Sequence, residues 1–166
     1  MRIRFKPAAL AAAVATMTPD PAAAPSAPAR TGPLAGVRVL DLTAVVLGPL
    51  ATQILGDYGA DVIKVEPPEG DLMRANGVSK VKGLSSIFLA INRNKRSLAV
   101  DLKKPEGVEV IRRLLPTVDV LVHNMRTAPM ERLGLGYAAC AALNPKLLYC
   151  VATGFGEDGP DAGRPA

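Results

Sequence analysis

The sequence predicts an α/β fold in which an open, mostly parallel sheet carries helices on both faces. From Leu34 onward, short apolar runs rich in β-branched residues alternate with stretches of helical periodicity. Loops that contain glycine, proline and charged residues separate the two kinds of segment. A repeated strand, helix, strand order requires crossover connections, which make the strands parallel and cover the sheet with helices. These observations together indicate a Rossmann-like architecture.

Five strands are predicted, each from a run of apolar residues of strand length. They are expected at residues 37–43, 60–66, 97–102, 119–123 and 146–153. Helices are expected within residues 48–59, 84–93, 105–118 and 124–145. The first helix has Leu50, Ile54 and Leu55 on one face, which is predicted to point inward. The third begins at Pro105, a residue suited to a first helical turn, and is predicted to bury Val108, Ile111, Leu114 and Leu115.

The first 31 residues are rich in alanine and proline and are predicted to form a disordered extension. Their apolar stretch is mostly alanine and cannot bury enough surface to offset the entropy of ordering. A misplaced start codon, a cleaved secretory signal and a short helix are the alternatives, the signal because the segment has a basic start followed by apolar residues. Residues 32–166 are expected to form one α/β portion.

The charge balance argues against a nucleic-acid partner. The net charge is +5, but residues 31–166 contain 16 basic and 14 acidic groups, a mixed surface rather than a field of one sign. Three Tyr, three Phe and no Trp offer few platforms on which single-stranded bases could stack. Outside the alanine-rich start, no apolar run reaches the roughly 18 residues of a membrane span, so no membrane association is expected.

The cysteines and the one histidine predict structural roles. Cys140 and Cys150 form no C-x-x-C pattern, which favours two reduced, buried thiols in a cytoplasmic protein. His123 is the only histidine, so a site with several histidine ligands is excluded and no metal is expected. A single histidine at the end of a strand is more often structural than catalytic.

Cationic residues follow two of the predicted strands, where ligands of an open parallel sheet bind. Lys103 and Lys104 precede Pro105, at a helix start whose free N–H groups suit an anion. Arg126 and Arg132 follow the fourth strand and could each bond two phosphate oxygens. Solvated surface charge is the alternative for all four. No Walker motif is present, and the loop GFGEDG after the last predicted strand has the G-x-G-x-x-G spacing but is interpreted as a turn, so a dinucleotide or nucleoside triphosphate is not the expected ligand.

An ordered series of motifs resembles one known family. The motifs are PLAGVRVLDLT, LGDYGADVIKVEPPEGDLMR, NRNKRSLAVDLKKPEG, DVLVHNMR, MERLGLGY, LNPKLLYC and TGFGEDGP. They cover residues 32–166 and are similar to the N-terminal part of the family III coenzyme A transferases, the group that contains formyl-CoA transferase and carnitine-CoA transferase. The α-methylacyl-CoA racemases are similar as well.

The resemblance implies that the carboxyl edge of the sheet binds coenzyme A through basic side chains and backbone donors. The implied contacts are Val45, Val46, Val100, Asp101, Leu102, Lys103, Asn124, Met125, Arg126 and Arg132. Lys103, Arg126 and Arg132 are the strongest candidates, because the family pattern agrees with their charge and position. Asn124 either binds a polar ligand group or caps its loop. Two departures stand out: residues 123–128 read HNMRTA where relatives commonly have ENFRPG, and Pro67 replaces an arginine of some relatives.

The family transfers CoA from an acyl-CoA to a carboxylic acid through an aspartate nucleophile. The resemblance places that aspartate beyond the last loop of this chain, and neither Asp158 nor Asp161 matches its motif, so no catalytic residue is predicted here. The expected function is the N-terminal part of an acyl-CoA:carboxylate CoA-transferase, cytoplasmic and homodimeric as in full-length relatives. A racemase-like enzyme and a non-catalytic CoA-binding remnant are the alternatives, and activity of this chain alone stays open.

Overall fold

The computed structural model describes residues 30–162 and 164, and a five-stranded sheet lies at its centre. The strands are β1 (Arg38–Leu42), β2 (Asp61–Glu66), β3 (Lys95–Ala99), β4 (Val120–His123) and β5 (Leu148–Val151). Every neighbouring pair is parallel, which confirms the predicted α/β class. The predictions made for residues 1–29 lie outside the described residues, and the boundary after residue 31 stays a prediction.

The strand order is β3-β2-β1-β4-β5, with β1 in the middle. The chain runs outward from β1 through β2 to β3, and then returns to place β4 on the other side of β1. The direction of winding therefore reverses between β1 and β4. In open sheets of this kind, ligands bind beyond the carboxyl ends of the strands at such a reversal. Residues 43–46 and 124–126 follow β1 and β4 and border this position.

The third strand lies earlier in the sequence than predicted, at Lys95–Ala99 instead of residues 97–102. Its register sets its end, because Ala99 pairs with Glu66, the last residue of β2. One further bond, from the Val100 N–H to the Glu66 carbonyl at 2.8 Å, closes the ladder. Beyond that point β2 has no backbone left to pair with, so residues 101–104 form the loop before the next helix.

Five α-helices connect the strands. They are α1 (Leu47–Asp57), α2 (Ser86–Asn92), α3 (Pro105–Leu114), α4 (Thr127–Arg132) and α5 (Tyr137–Leu143). Pro105 occupies the first turn of α3, as its sequence position predicted. Among the described helices, none is both long enough and apolar enough to cross a bilayer.

The core is divided between the two faces of the sheet, because successive side chains of a strand point to opposite sides. On one face, Leu40, Ile63 and Leu121 pack with α3, α4 and α5, and Ile111 and Leu115 are fully buried as predicted. On the other face, a smaller cluster joins Val39, Val62 and Val122 to the half-buried Leu55 of α1.

The prediction for the inward face of α1 was correct for Leu55 and wrong for Leu50 and Ile54. Leu50 and Ile54 are 40% and 44% exposed, whereas Thr52 and Gln53 are buried. The reason lies in the sheet surface beneath α1, which is apolar near the start of the strands but carries Asp41 further along β1. The Thr52 hydroxyl donates a hydrogen bond to that carboxylate, so a polar side of α1 faces inward.

Candidate functional site

The loops after β1 and β4 are joined by one side chain. Asn124 accepts a hydrogen bond from the Ala44 N–H and donates one to the Ala44 carbonyl, both at 3.0 Å. Both functions of the amide are therefore used within the protein. Of the two roles considered for Asn124 in the sequence, the structure shows the one that fixes the loop, and contact with a ligand stays a prediction.

Val45, the next residue, has an unusual backbone conformation with φ at 72°. A β-branched side chain rarely adopts this left-handed region, because its Cβ substituents crowd the backbone. Strain of this kind costs on the order of 1–3 kcal/mol and persists only where the surrounding structure enforces it. Val45 and Val46 are each 42% exposed, so both border solvent at the point where the sheet reverses its winding.

A groove of about 340 Å³ lies between α3 and α4, and we call it the basic groove. It is lined by Leu102, Lys103, Lys104, Pro105, Val108, Glu109, Arg112, Arg132 and Leu133. Lys104 lies 4.0 Å from Asp101, and Arg112 lies 3.9 Å from Glu109. Within residues 30–162 and 164, neither Lys103 nor Arg132 forms a salt bridge. The groove therefore offers two cationic groups that the described protein does not neutralise.

The loop of residues 100–103 is fixed against the start of α3. The Asp101 side chain accepts a hydrogen bond from the Lys103 N–H at 3.0 Å. Gly107, in the first turns of α3, lies so close to this loop that an added Cβ would be 2.1 Å from the Asp101 carbonyl oxygen. A glycine is needed here for close approach, and the approach sets where Lys103 leaves the sheet edge.

A second groove, also of about 340 Å³, lies beyond the ends of β4 and β5, and we call it the glycine-loop groove. It is lined by Leu47, Asn124, Arg126, Thr127, Ala152, Thr153, Gly154, Phe155, Gly156, Ala162 and Arg164. Thr127 donates a hydrogen bond to Glu157 at 2.7 Å across it. Of the three cations favoured by the sequence, Lys103 and Arg132 thus share one groove and Arg126 lines the other.

His123 is buried at the end of β4. Its Nδ1 lies 3.1 Å from the Met125 carbonyl, which assigns the proton to Nδ1, and its Nε2 has no hydrogen-bond partner within the described residues. The ring packs edge-on against Tyr149, with centroids 5.1 Å apart. Burial lowers the pKa of His123, and the bond to Met125 opposes that shift only partly. The imidazole is therefore neutral at pH 7, as a structural residue would be.

The cations that surround β3 are paired with carboxylates of the protein. Arg93 bonds Asp57 at 2.5 Å, and Arg96 bonds Asp61 at 2.6 Å. The hydrogen bond from Arg93 is the main cause of a lowered pKa at Asp57. Lys95 Nζ lies 3.0 Å from Asp41, and both side chains are buried. Three of the five cations between Ala90 and Gly107 therefore bind within the fold, and only Lys103 and Lys104 lie at the basic groove.

Sequence reasoning missed a group of buried charges on the α1 face. Lys64 pairs with Asp71 at 2.9 Å, and Glu66 forms a two-pronged pair with Arg74 at 2.5 and 2.7 Å. Burial would raise the pKa of Glu66, but the bonds from Arg74 and from the Asp71 N–H outweigh it and lower that pKa. The signal was present, because the period of two in β2 places Lys64 and Glu66 on the same face as the buried Val62.

The prediction of two buried thiols was correct for Cys140 and wrong for Cys150. Cys140 donates a hydrogen bond to the Leu135 carbonyl, and burial raises its pKa to about 11. Cys150 is exposed because β5 pairs only with β4 at the edge of the sheet, and its alternate residues point outward. Among the described residues, no three His, Cys, Asp or Glu side chains come together as a metal site requires.

Comparison with known proteins agrees with this fold. A model of CoA-transferase family III matches residues 34–166. Succinate–glutarate CoA-transferase of Agrobacterium fabrum is 47% identical over 142 residues, which cover 81% of this chain and 36% of that protein. Human succinyl-CoA:glutarate CoA-transferase is 46% identical over 133 residues, which cover 80% of this chain and 30% of that protein. The chain thus spans about a third of the length of these relatives.

A solved structure gives the same result at the level of coordinates. The crystal structure of a CAIB/BAIF family protein from Brucella suis matches with a TM-score of 0.79 and 42% sequence identity, over 82% of this chain and 37% of that one. Sequence motifs, strand order and backbone coordinates therefore lead to one assignment. The chain belongs to CoA-transferase family III.

Proposed function

We propose that this chain is the coenzyme-binding portion of an acyl-CoA:carboxylate CoA-transferase, which moves CoA from one carboxylic acid to another. Membership of the family supports the reaction class. The observation that carries the proposal is the basic groove, because Lys103 and Arg132 line it without a carboxylate partner among the described residues. Cations left unneutralised beside a helix N-terminus favour a phosphate-bearing ligand.

The proposed contacts divide between the two grooves. Lys103 and Arg132 bind the phosphates of CoA in the basic groove, where Val100, Asp101 and Leu102 supply the adjoining loop. Asn124, Met125 and Arg126 border the glycine-loop groove and the strained Val45–Val46 segment. In this arrangement the phosphates of CoA lie toward α3. The thioester end lies toward the point between β1 and β4 where the direction of winding reverses. All ten contacts remain predictions.

The names of the relatives support a proposal for the substrate class. Two of them are named for succinate or succinyl-CoA together with glutarate, which are both dicarboxylates. We propose short dicarboxylic acids as donor and acceptor of CoA. By the family resemblance, the nucleophilic aspartate lies outside residues 1–166. In this proposal the residues described here bind and orient the coenzyme. Cytoplasmic location and a homodimer also stay predictions.

Titration calorimetry with CoA tests the binding half of the proposal. We expect binding of CoA and much weaker binding of pantetheine, which has the same thiol arm but neither the phosphates nor the adenosine. Lys103→Gln and Arg132→Gln should each weaken CoA binding by roughly 10- to 150-fold, which corresponds to the loss of one charge-assisted hydrogen bond of about 1.5–3 kcal/mol. Arg96→Gln is the matched control, because it removes one exposed cation that already pairs with Asp61.

Equal binding of CoA and pantetheine, or no binding of CoA at millimolar concentration, would contradict the proposal. The transfer half is tested by mixing the protein with succinyl-CoA and glutarate and measuring glutaryl-CoA by mass. Binding without transfer would support a CoA-binding role for this chain and leave the catalytic step to residues outside it.

A further inference from the structure

Two buried charges fix the polar groups of Thr43, the first residue after β1. The Asp41 carboxylate accepts hydrogen bonds from the Thr43 N–H at 2.9 Å and from the Thr43 hydroxyl. Lys64 Nζ donates to the Thr43 carbonyl at 2.9 Å. The N–H, the carbonyl and the hydroxyl of this residue are therefore all bonded to side chains that water does not reach.

The same carboxylate is held from two further directions. The Thr52 hydroxyl of α1 donates to Asp41 at 2.6 Å, and Lys95 Nζ of β3 donates at 3.0 Å. Lys95 also bonds the Pro49 carbonyl at 2.7 Å, in the first turn of α1. Asp41 thus ties β1, β3 and the start of α1 to the loop that joins β1 to α1.

This arrangement lies directly before the strained segment. Thr43 is fixed by Asp41 and Lys64, Ala44 is fixed by Asn124, and Val45 follows with its positive φ. Val45 and Val46 are themselves half-exposed, so packing of their own side chains contributes little to holding them. The bonds to Thr43 and Ala44 are the restraints that keep the segment in a conformation it would not adopt alone.

Fold stability alone does not explain why charges occupy these positions. A buried ion pair stabilises a fold weakly, because the cost of removing both charges from water offsets their attraction, and apolar residues of similar volume often serve as well. An apolar pair could not bond the N–H, hydroxyl and carbonyl of Thr43. The property that requires polar side chains here is the bonding of the loop backbone.

We propose that Asp41, held by Lys95 and Thr52 and acting together with Lys64 on Thr43, is a positioning residue that sets the Val45–Val46 backbone for coenzyme binding. The inference rests on the proposed function. In this proposal the four residues contribute measurably to the affinity for the coenzyme, although they do not contact it. If their loss leaves the loop in the competent conformation for about one tenth of the time, the apparent Kd rises about tenfold.

The experiment compares CoA binding, thermal stability and amide exchange in four variants. Asp41→Asn removes the charge, and Thr52→Val removes one bond to Asp41 while keeping every charge. Thr52→Ser restores the hydroxyl. Leu115→Ala truncates a buried core residue outside both grooves and the loop, and controls for destabilisation alone. We expect weaker CoA binding in the first two, recovery in Thr52→Ser, and wild-type affinity in Leu115→Ala.

Amide exchange distinguishes positioning from general loosening. The Ala44 N–H bonds Asn124, which no variant alters, so faster exchange at Ala44 in Thr52→Val reports a loosened loop. If Asp41→Asn does not fold, Thr52→Val decides the question. Wild-type affinity in Thr52→Val together with faster exchange at Ala44 would overturn the inference and leave the proposed function intact. Failure of the wild type to bind CoA would overturn the proposed function, and this inference with it.

Discussion

The cations around β3 and the cations of the basic groove are of the same chemical kind but differ in what lies opposite them. Arg93, Lys95 and Arg96 each have a carboxylate of the protein within 3.0 Å. Lys103 and Arg132 have none among the described residues. Charge that is already matched contributes to the fold, whereas unmatched charge at a groove is available to a ligand. Density of positive charge along the sequence therefore does not by itself locate a binding site.

The largest effect on the free energy of unfolding is expected for Asp41→Asn. The change leaves Lys95 buried without its counter-charge, and breaking a buried pair from one side costs about 3–5 kcal/mol. Urea unfolding followed by circular dichroism measures it. The double variant Asp41→Asn with Lys95→Met removes both charges, keeps an amide oxygen beside Thr43 and Thr52, and should lose less than Asp41→Asn alone. A loss below about 1 kcal/mol in Asp41→Asn would show that buried Lys95 does not need the charge of Asp41 to be accommodated in the fold.

Gly107→Ala should have the next largest effect on the free energy of unfolding. The change disrupts the close contact with Asp101 that fixes the loop carrying Lys103. The added Cβ would lie 2.1 Å from the Asp101 carbonyl oxygen, so the loop before α3 must move. We expect a net loss of about 1–3 kcal/mol, even though alanine favours a helix by roughly 1 kcal/mol over glycine. Gly56→Ala is the control, since its Cβ would meet Asn94 Cβ at a milder 3.3 Å. Greater stability in Gly107→Ala would contradict the close approach.

The fold was predictable because local patterns encode it. Alternating strand and helix signals gave the parallel sheet, and Pro105 marked the start of α3. The errors arose where a residue that is distant in the sequence but close in space determines the local structure. The end of β3 is set by the last residue of β2, and the inward face of α1 is set by Asp41 beneath it. Neither relation is contained in a window of neighbouring residues.

The candidate site was predictable only in part, for the same reason. The sequence marked Lys103 as a cation at a helix start and Arg132 as one that follows the fourth strand, and the structure adds that they line one groove. It could not separate them from Arg93, Lys95 and Arg96, because a carboxylate partner lies up to 54 residues away, as for Lys95 and Asp41. Asp41 and Lys64 were missed because a buried charge inside a strand resembles an ordinary polar residue in the sequence, and Thr52 was missed because its partner Asp41 was.

Lowering the pH places a positive charge on His123, whose ring is bonded to the Met125 carbonyl and to no carboxylate among the described residues. We expect this charge to change the free energy of unfolding less than Gly107→Ala does. The pKa of His123 is lowered from its usual 6.5 by burial, which outweighs the bond to Met125 and the distant charge of Glu157. The unfolded chain therefore takes up the proton first as pH falls. The contribution of neutral His123 to the free energy of unfolding is fully present above about pH 6.5. It is lost as the pH falls through the lower pKa that His123 has in the folded state.

Thermal unfolding between pH 7.5 and 5 measures this loss. The variant His123→Gln has no group that titrates at this position, so its stability should change less over the same range. The lowered pKa values of Glu66 and Asp57 act below this window, because their usual values are 4.5 and 3.8. Equal slopes for His123→Gln and the wild type would show that protonation of His123 is not the cause.

The smallest effect on unfolding is expected for the unmatched cations themselves. Lys103→Gln and Arg132→Gln break no salt bridge within residues 30–162 and 164, so each should change the free energy of unfolding by less than about 0.5 kcal/mol. Because Lys104 and Arg112 line the same groove, removing one cation relieves repulsion, and any change should be a gain that fades as salt screens it. Arg96→Gln, which breaks the exposed pair with Asp61, should instead lose about 0.2–1 kcal/mol. A loss in Lys103→Gln or Arg132→Gln as large as that in Arg96→Gln would mean that these cations also serve the fold, and would remove the distinction on which the basic groove is interpreted as a phosphate site.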